Sequence, residues 1–341
     1  MQEQDAQGRD AISEALRRIG LLGKGRVALT PLTGGVASDI YRVECEGRVF
    51  AVKRALDKLR VAADWRVPVE RNAYEVGWLR IAGNAVPGAA PRILGHDPSS
   101  GLFAMEYLDP ASHPVWKNEL LAGRVDPAFA GEVGRRIAAI HAATARDAAI
   151  ASAFDTVDIF RAIRLEPYLE ATALRHPDLA AAMMGLSRET AARRIALVHG
   201  DVSPKNILAG PSGPIFLDAE CAWYGDPAFD LAFCLNHLLL KMIRVPEAST
   251  PLASSYEELA GRYLAGVTWE DPDGVEERTG ALLPALLLAR VDGKSPVEYI
   301  TEERDRTKVR RAAMPMVQSP PERLQDLLGR VVAAFAEDFK A

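Results

Sequence analysis

Near Asp109-Pro110 the hydrophobic period of this chain changes, and that change restricts the folds open to it. Before it, residues 27–31, 40–44, 49–52 and 102–108 are short runs rich in β-branched and aromatic side chains. Thr33-Gly34-Gly35 and Glu46-Gly47 separate the first of them. Such side chains fit a pleated, half-buried surface and the glycines supply turns, so the runs predict an antiparallel meander. Residues 10–22 and 69–82 carry helical spacing, while Pro87, Pro91 and Gly95 mark loops. After Pro110 the chain is alanine-rich and helical. Residues 128–145, 158–173 and 188–194 predict amphipathic helices, interrupted by a β island at 195–199, 207–208 and 214–218. The expectation is an α+β protein with a small antiparallel β-sheet lobe over 1–108 and a larger, mainly helical lobe over 109–341.

Charge and composition narrow the partners. The formal net charge is −5, with 48% hydrophobic and 26% charged residues, as in an ordinary soluble protein. Phosphate backbones select basic faces, so the mild acidity argues against nucleic acid as the main partner, whereas a small anion needs only a local cationic pocket. Cys45, Cys221 and Cys234 have neither Cys-x-x-Cys nor metal-ligand spacing and are expected to be reduced, buried thiols. The opening Met-Gln-Glu-Gln-Asp lacks a basic, then apolar, leader pattern. The most apolar runs, 231–243 and 281–289, are too short to span a bilayer and predict buried helices. A cytoplasmic protein without a membrane partner is expected.

One string carries chemistry. His199-Gly200-Asp201-Val202-Ser203-Pro204-Lys205-Asn206 lies between two β runs, and Leu217-Asp218-Ala219-Glu220 follows. Asp201 can accept a proton from an attacking hydroxyl and orient it. The amide oxygen of Asn206 and the carboxylate of Asp218 can hold Mg²⁺, a hard cation that prefers oxygen ligands. The spacing is that of the kinase loop H-R-D-x-x-x-x-N with Gly200 in place of the arginine. A surface turn would explain any one of these residues, but not the ordered set at the ends of β runs.

Phosphoryl transfer also needs a cation on the phosphates. Phe50-Ala51-Val52-Lys53 places one at a strand end, in the V-A-I-K pattern. Glu75 is the preferred partner to orient Lys53, with Glu70 as the alternative on the same predicted helix. Upstream, the loop Leu32-Thr33-Gly34-Gly35-Val36-Ala37-Ser38 lets backbone approach phosphate through Gly34 and Gly35, with Ser38 at its end.

Together these residues resemble the aminoglycoside phosphotransferase and choline kinase superfamily over nearly the whole chain. The resemblance implies a protein-kinase-like bilobal fold, ATP as donor, Mg²⁺, and a small-molecule hydroxyl as acceptor. It implies that Met105-Glu106-Tyr107-Leu108 is a hinge, with backbone groups of Glu106 and Leu108 on the adenine. It also makes Asp230 a buried brace for the catalytic loop. Asp218-Ala219-Glu220-Cys221-Ala222-Trp223-Tyr224-Gly225 is similar to the methylthioribose kinases, which nominates Glu220 as a third metal ligand; a salt-bridged surface role is the alternative. Asn206 departs from that subfamily and leans toward the aminoglycoside kinases. Acceptor-side candidates are Lys205, Trp223, Tyr224 and Arg290. For Trp223 and Tyr224 the competing reading is core packing, and for Arg290 it is a salt bridge to the acid-rich stretch 298–305. Trp116, Lys117 and His141 read as packing, surface and core residues. The activity expected is an ATP-dependent kinase of a small molecule, with methylthioribose and choline or amino-alcohol phosphorylation as alternatives and a nucleotide-binding pseudokinase as the non-enzyme one. No Ala-Pro-Glu segment follows Asp218, which argues against a protein kinase.

Overall fold

Alternating side chains on the N-terminal strands sort onto two faces of one sheet. In the computed structural model, which describes residues 2–23, 25, 27–32, 38–56 and 70–336, this sheet lies in the first of two units, Met1–Ser112; the second is His113–Ala341. The first unit runs α1 (Gln2–Arg18), β1 (Val27–Pro31), β2 (Ser38–Cys45), β3 (Arg48–Ala55), α2 (Arg71–Ala85), β4 (Ile93–Asp97) and β5 (Leu102–Glu106). The strands form an antiparallel five-stranded sheet of order β1-β2-β3-β5-β4. Tyr41, Val43 and Cys45 of β2, Phe50 and Val52 of β3, and Leu102 and Ala104 of β5 bury one face together with Ile12, Ala15 and Leu16 of α1. Fully burying a Val, Leu or Phe contributes roughly 1.5–3 kcal/mol, so this face fixes the register. Period two then sends Ala51, Lys53 and Phe103 to the other face, where Lys53 meets Glu75 of α2.

Two local expectations change. Ile93–Asp97, expected as loop, is an edge strand; a bulge between Ile93 and Gly95 absorbs the glycine that hid it. The first helix ends at Arg18, before Gly20 at φ 72°, and not at residue 22.

The second unit holds α3 (Trp116–Leu121), α4 (Pro127–Thr144), α5 (Ala148–Ala153), α6 (Val157–Phe160), a π-helical segment Arg161–Glu170, α7 (Ala171–Arg175) and α8 (Ala180–Ala192). Then come β6 (Ala196–Val198), β7 (Ile207–Gly210), β8 (Gly213–Phe216) and β9 (Trp223–Gly225), which pair as β6-β9 and β7-β8. The helices α9 (Ala228–Arg244), α10 (Ser249–Ala265), α11 (Pro272–Asp292), α12 (Glu303–Gln318) and α13 (Leu324–Ala336) complete it. Both apolar runs of the sequence become buried helix, in α9 and α11. Helices α4 and α10 approach so closely that a Cβ at Gly134 would lie 2.2 Å from the Leu259 carbonyl oxygen. Among the described residues no helix is long and apolar enough to cross a membrane.

Candidate functional site

β6 ends at Val198, and the loop 199–206 that follows is hung on one carboxylate. Asp230, in the first turn of α9 and fully buried, accepts the backbone N–H of His199 at 2.7 Å and that of Gly200 at 2.8 Å. Its Oδ2 also lies 3.2 Å from Nε2 of the buried His141 on α4. Bonds to an ionised acceptor are stronger than neutral ones, so Asp230 fixes the loop's entry. His199 Nδ1 accepts the Asp201 N–H at 3.1 Å, which leaves the proton on Nε2 to be donated to the Leu217 carbonyl at 3.0 Å. Burial holds the His199 pKa below its usual value despite the carboxylates of Asp230 and Asp201 nearby. A neutral imidazole thereby ties the loop to the segment that carries Asp218. Between them Gly200 sits at φ 78°, where a Cβ would meet the Cys221 carbonyl oxygen at 2.8 Å; only glycine fits.

Asp201 is buried and clamped on one side. Its Oδ2 is 2.7 Å from Arg164 Nη2 and 3.1 Å from Lys205 Nζ. Its Oδ1 is buried with no hydrogen-bond partner among the described residues. Burial alone would push this carboxyl up, but Arg164 and Lys205 more than offset it and hold Asp201 below the usual carboxylate range. The result is an ionised carboxylate with one oxygen locked and the other open to a donor. Arg164 comes from the π-helical segment and is itself buried. Its Nε donates to the Gly200 carbonyl at 2.7 Å, and its guanidinium lies 5.8 Å from the Tyr168 ring and 5.7 Å from that of Phe233. Arg164 escaped sequence reasoning, because nothing in its local spacing relates it to a loop 36 residues away.

The candidate metal ligands gather on the same two loops. Asn206 donates its Nδ2 to the Asp201 carbonyl at 3.1 Å, leaving Oδ1 as its coordinating atom. Carboxylate oxygens of Asp218 and Glu220 lie within 4.8 Å of each other. Asp218 holds φ 67°, a left-handed conformation that aspartate tolerates and that bends the chain just after β8. An all-oxygen set of two carboxylates and an amide suits Mg²⁺. Cys221, next to them, is fixed as a thiol, its pKa pushed up to about 12 by burial.

The other candidates divide. In the first unit Lys53 donates to both oxygens of Glu75, at 2.9 and 2.7 Å, and both residues are buried; Glu70 is exposed, one residue ahead of α2. Glu106 donates its N–H to the Arg92 carbonyl at 2.9 Å, and Leu108 lies just past β5. Ser38 opens β2 and is buried, whereas Gly34 and Gly35 lie outside the described residues. In the second unit Trp223 and Tyr224 are buried and take the core-packing places that competed with an acceptor role. Trp223 stacks on Phe160 at 4.2 Å, and the Tyr224 hydroxyl donates to the Thr144 carbonyl. The physical reason is that β9 pairs with β6 in the interior, so successive side chains are covered on both faces. Arg290 makes no ion pair with the acidic stretch; it donates to the Tyr168 hydroxyl at 2.8 Å and to the Ser295 carbonyl. Trp116 packs edge-on to Phe129, and Lys117 pairs with Glu298 at 2.8 Å.

Residues 28–277 match the model of a family described as the phosphotransferase enzyme family. The chain is 27% identical over 229 residues to the methylthioribose kinase of Yersinia enterocolitica, covering 59% of this chain and 56% of that one. It is 25% identical over 264 residues to the methylthioribose kinase of Pectobacterium carotovorum, covering 69% and 64%. The chain thus spans 56–64% of the length of these curated relatives. Among solved structures it resembles a choline/ethanolamine kinase family protein from Mesorhizobium loti, with a TM-score of 0.54 at 19% identity over 96% of this chain and 99% of that one. That likeness shows the α+β, protein-kinase-like fold the sequence led us to expect.

Proposed function

Because this chain belongs to the phosphotransferase enzyme family, we propose that it is an ATP-dependent kinase that phosphorylates a hydroxyl of a small molecule. The observation that carries the reading is Asp201: an ionised, buried carboxylate with one oxygen clamped by Arg164 and Lys205 and the other unpartnered. That is what a group needs in order to accept a hydrogen bond from an acceptor hydroxyl and take its proton as the phosphorus–oxygen bond forms. Asp230 and the neutral His199 hold Asp201 in place, so little reorganisation is needed when the acceptor arrives. Lys53, oriented by Glu75, grips the phosphates of ATP, and the backbone at Gly34, Gly35 and Ser38 approaches them; Glu106 and Leu108 hold the adenine. Residues 1–108 are the nucleotide-binding lobe and 109–341 the lobe with the catalytic loop. Asn206, Asp218 and Glu220 would hold Mg²⁺, which when bound offsets the negative charge of the phosphates.

Coupled ADP release from MgATP, with methylthioribose, amino alcohols, aminoglycosides and sugar acids as acceptors, tests the reading. Turnover above the slow hydrolysis background is expected with at least one class, and Asp218→Ala should bring both rates to the no-enzyme level. Absence of any magnesium-dependent ADP release, with ATP still bound, would favour a pseudokinase.

A further inference from the structure

Resting on the phosphotransfer reading, we propose that the acceptor is an anion, a hydroxy compound whose carboxylate or phosphate is held by Arg290, His237 and Lys241 while its hydroxyl meets Asp201. The motivation is an imbalance of buried charge in the second unit. Lys241 of α9 is 0% exposed and its Nζ has no hydrogen-bond partner. Arg290 of α11 is 8% exposed and its Nε has none. Neither forms an ion pair among the described residues, although every other buried or half-buried cation nearby is matched: Arg164 and Lys205 by Asp201, Lys117 by Glu298. The Arg290 guanidinium uses its Nη1 on neutral oxygens of Tyr168 and Ser295. A buried charge without a counter-charge is costly; Arg290 keeps its charge at any ordinary pH, and Lys241 sheds its own in part, with a pKa held down to about 7 by burial. The charge of Glu298 reaches both groups, but that carboxylate is exposed and paired with Lys117, so the rest of the counter-charge is left to the ligand.

The placement fits a small acceptor. His237 and Lys241 are one turn apart on α9 and share a face. His237, 6% exposed, stacks edge-on to Phe233 at 5.4 Å, and the Lys241 ammonium lies 5.1 Å from the Tyr299 ring. Arg290 reaches the Tyr168 hydroxyl, and the same ring lies 5.8 Å from the guanidinium of Arg164, which holds Asp201. Tyr168 and Arg164 thus link Arg290 to the carboxylate that receives the hydroxyl. In this proposal Arg290 and His237, 8% and 6% exposed, make the direct contacts, and the fully buried Lys241, one turn from His237 on α9, adds charge. Burial holds the Lys241 pKa down to about 7 and, with Arg290 and Lys241 beside it, holds His237 well below its usual value; a bound anion would reverse both tendencies. An amino alcohol or polyamine would meet like charge, and a neutral sugar would leave both cations unpaired.

Two arms test this with the full chain. The first measures kcat/KM by coupled ADP release for matched sets: glycerol, serinol, glycerate and glycerol 3-phosphate, then ribose, ribonate and ribose 5-phosphate. The anionic members are expected to lead their sets at least tenfold, and the order of carboxylate and phosphate identifies which anion fits. A neutral or amino member leading either set overturns the proposal. The second arm needs no turnover: thermal-shift titrations with sodium phosphate and sodium tartrate at constant ionic strength. Wild type should be stabilised by at least one of them, and the midpoint should rise at least tenfold in both Arg290→Gln and Lys241→Met. Lys241→Met replaces an unpaired buried cation by an apolar chain of similar length, so its own Tm should not fall, which separates a lost site from a lost fold. If neither anion stabilises wild type, or both variants respond as wild type does, the proposal is wrong. If anion binding behaves as expected but no magnesium-dependent ADP release is found, the phosphotransfer reading fails alone.

Discussion

Replacing Asp201 by asparagine is expected to lower kcat by about 10²–10⁴-fold, the usual contribution of a positioned proton acceptor. ATP binding, read as a thermal shift, should survive. The variant also leaves the buried Arg164 guanidinium without its ion-pair partner; removing one partner of a buried pair destabilises by roughly 3–5 kcal/mol. Activity must therefore be measured well below the variant's melting range. The pH profile of the wild type offers an independent check. The active form of Asp201 is ionised and its pKa is held below the usual carboxylate range, so kcat at saturating substrates should show no acid limb from this group between pH 7 and the ordinary carboxylate region. In Arg164→Met the burial effect is no longer offset by the guanidinium, and the acid limb should move upward. An unchanged acid limb in that variant, or near wild-type turnover in Asp201→Asn, would remove Asp201 from the role proposed for it.

Asp230→Ala should be the most damaging single change to the fold of the second unit. It orphans two buried N–H donors, those of His199 and Gly200, and removes one of the two side-chain partners of His141, which keeps the Tyr263 hydroxyl. Each buried unsatisfied donor costs roughly 1–3 kcal/mol, which sums to about 2–6 kcal/mol before the cavity is counted. At roughly 2–4 °C per kcal/mol for a region of this size, Tm should fall by about 10 °C. Asp230→Asn keeps one acceptor oxygen and should lie between. A Tm within about 2 °C of wild type for the alanine variant, about 1 kcal/mol on the same scale, would mean that the loop is held by something else.

The parts of this molecule that were legible in the sequence are those where one physical requirement acts locally. Strands β2 and β3 announce themselves as short runs of β-branched and aromatic residues on either side of the Glu46-Gly47 turn, from which Tyr41, Val43, Phe50 and Val52 go to the core. The preference for Glu75 over Glu70 follows helix phase: Arg71, Glu75 and Leu79 share the buried side of α2. Asp201, Asn206 and Asp218 stand out because they are turn-type residues in fixed order between short apolar runs. The π-helical segment looked like ordinary helix, since ten residues are too few to separate the two periods. β4 was lost to a single glycine at a bulge. Lys241 and His237 were visible only as blemishes in an apolar run, Asp230 only through the family resemblance, and Arg164 meets the catalytic loop through a contact 36 residues long. Long-range partners leave no local trace; the fold alone brings them together.

The left-handed turn at Gly200 has a consequence for how such chains can evolve. The kinase pattern writes an arginine beside its aspartate; here that position has no room for any side chain, and the guanidinium that grips Asp201 arrives from Arg164, a helix away. The two positions are therefore mutually epistatic. A mutation to arginine at 200 cannot be accepted first, because the carbonyl of Cys221 blocks it, and loss of Arg164 cannot be accepted first, because Asp201 would be left to face its burial with only a surface lysine. Both positions are therefore closed to single substitutions, Gly200 by the carbonyl packed against it and Arg164 by the buried charge it answers.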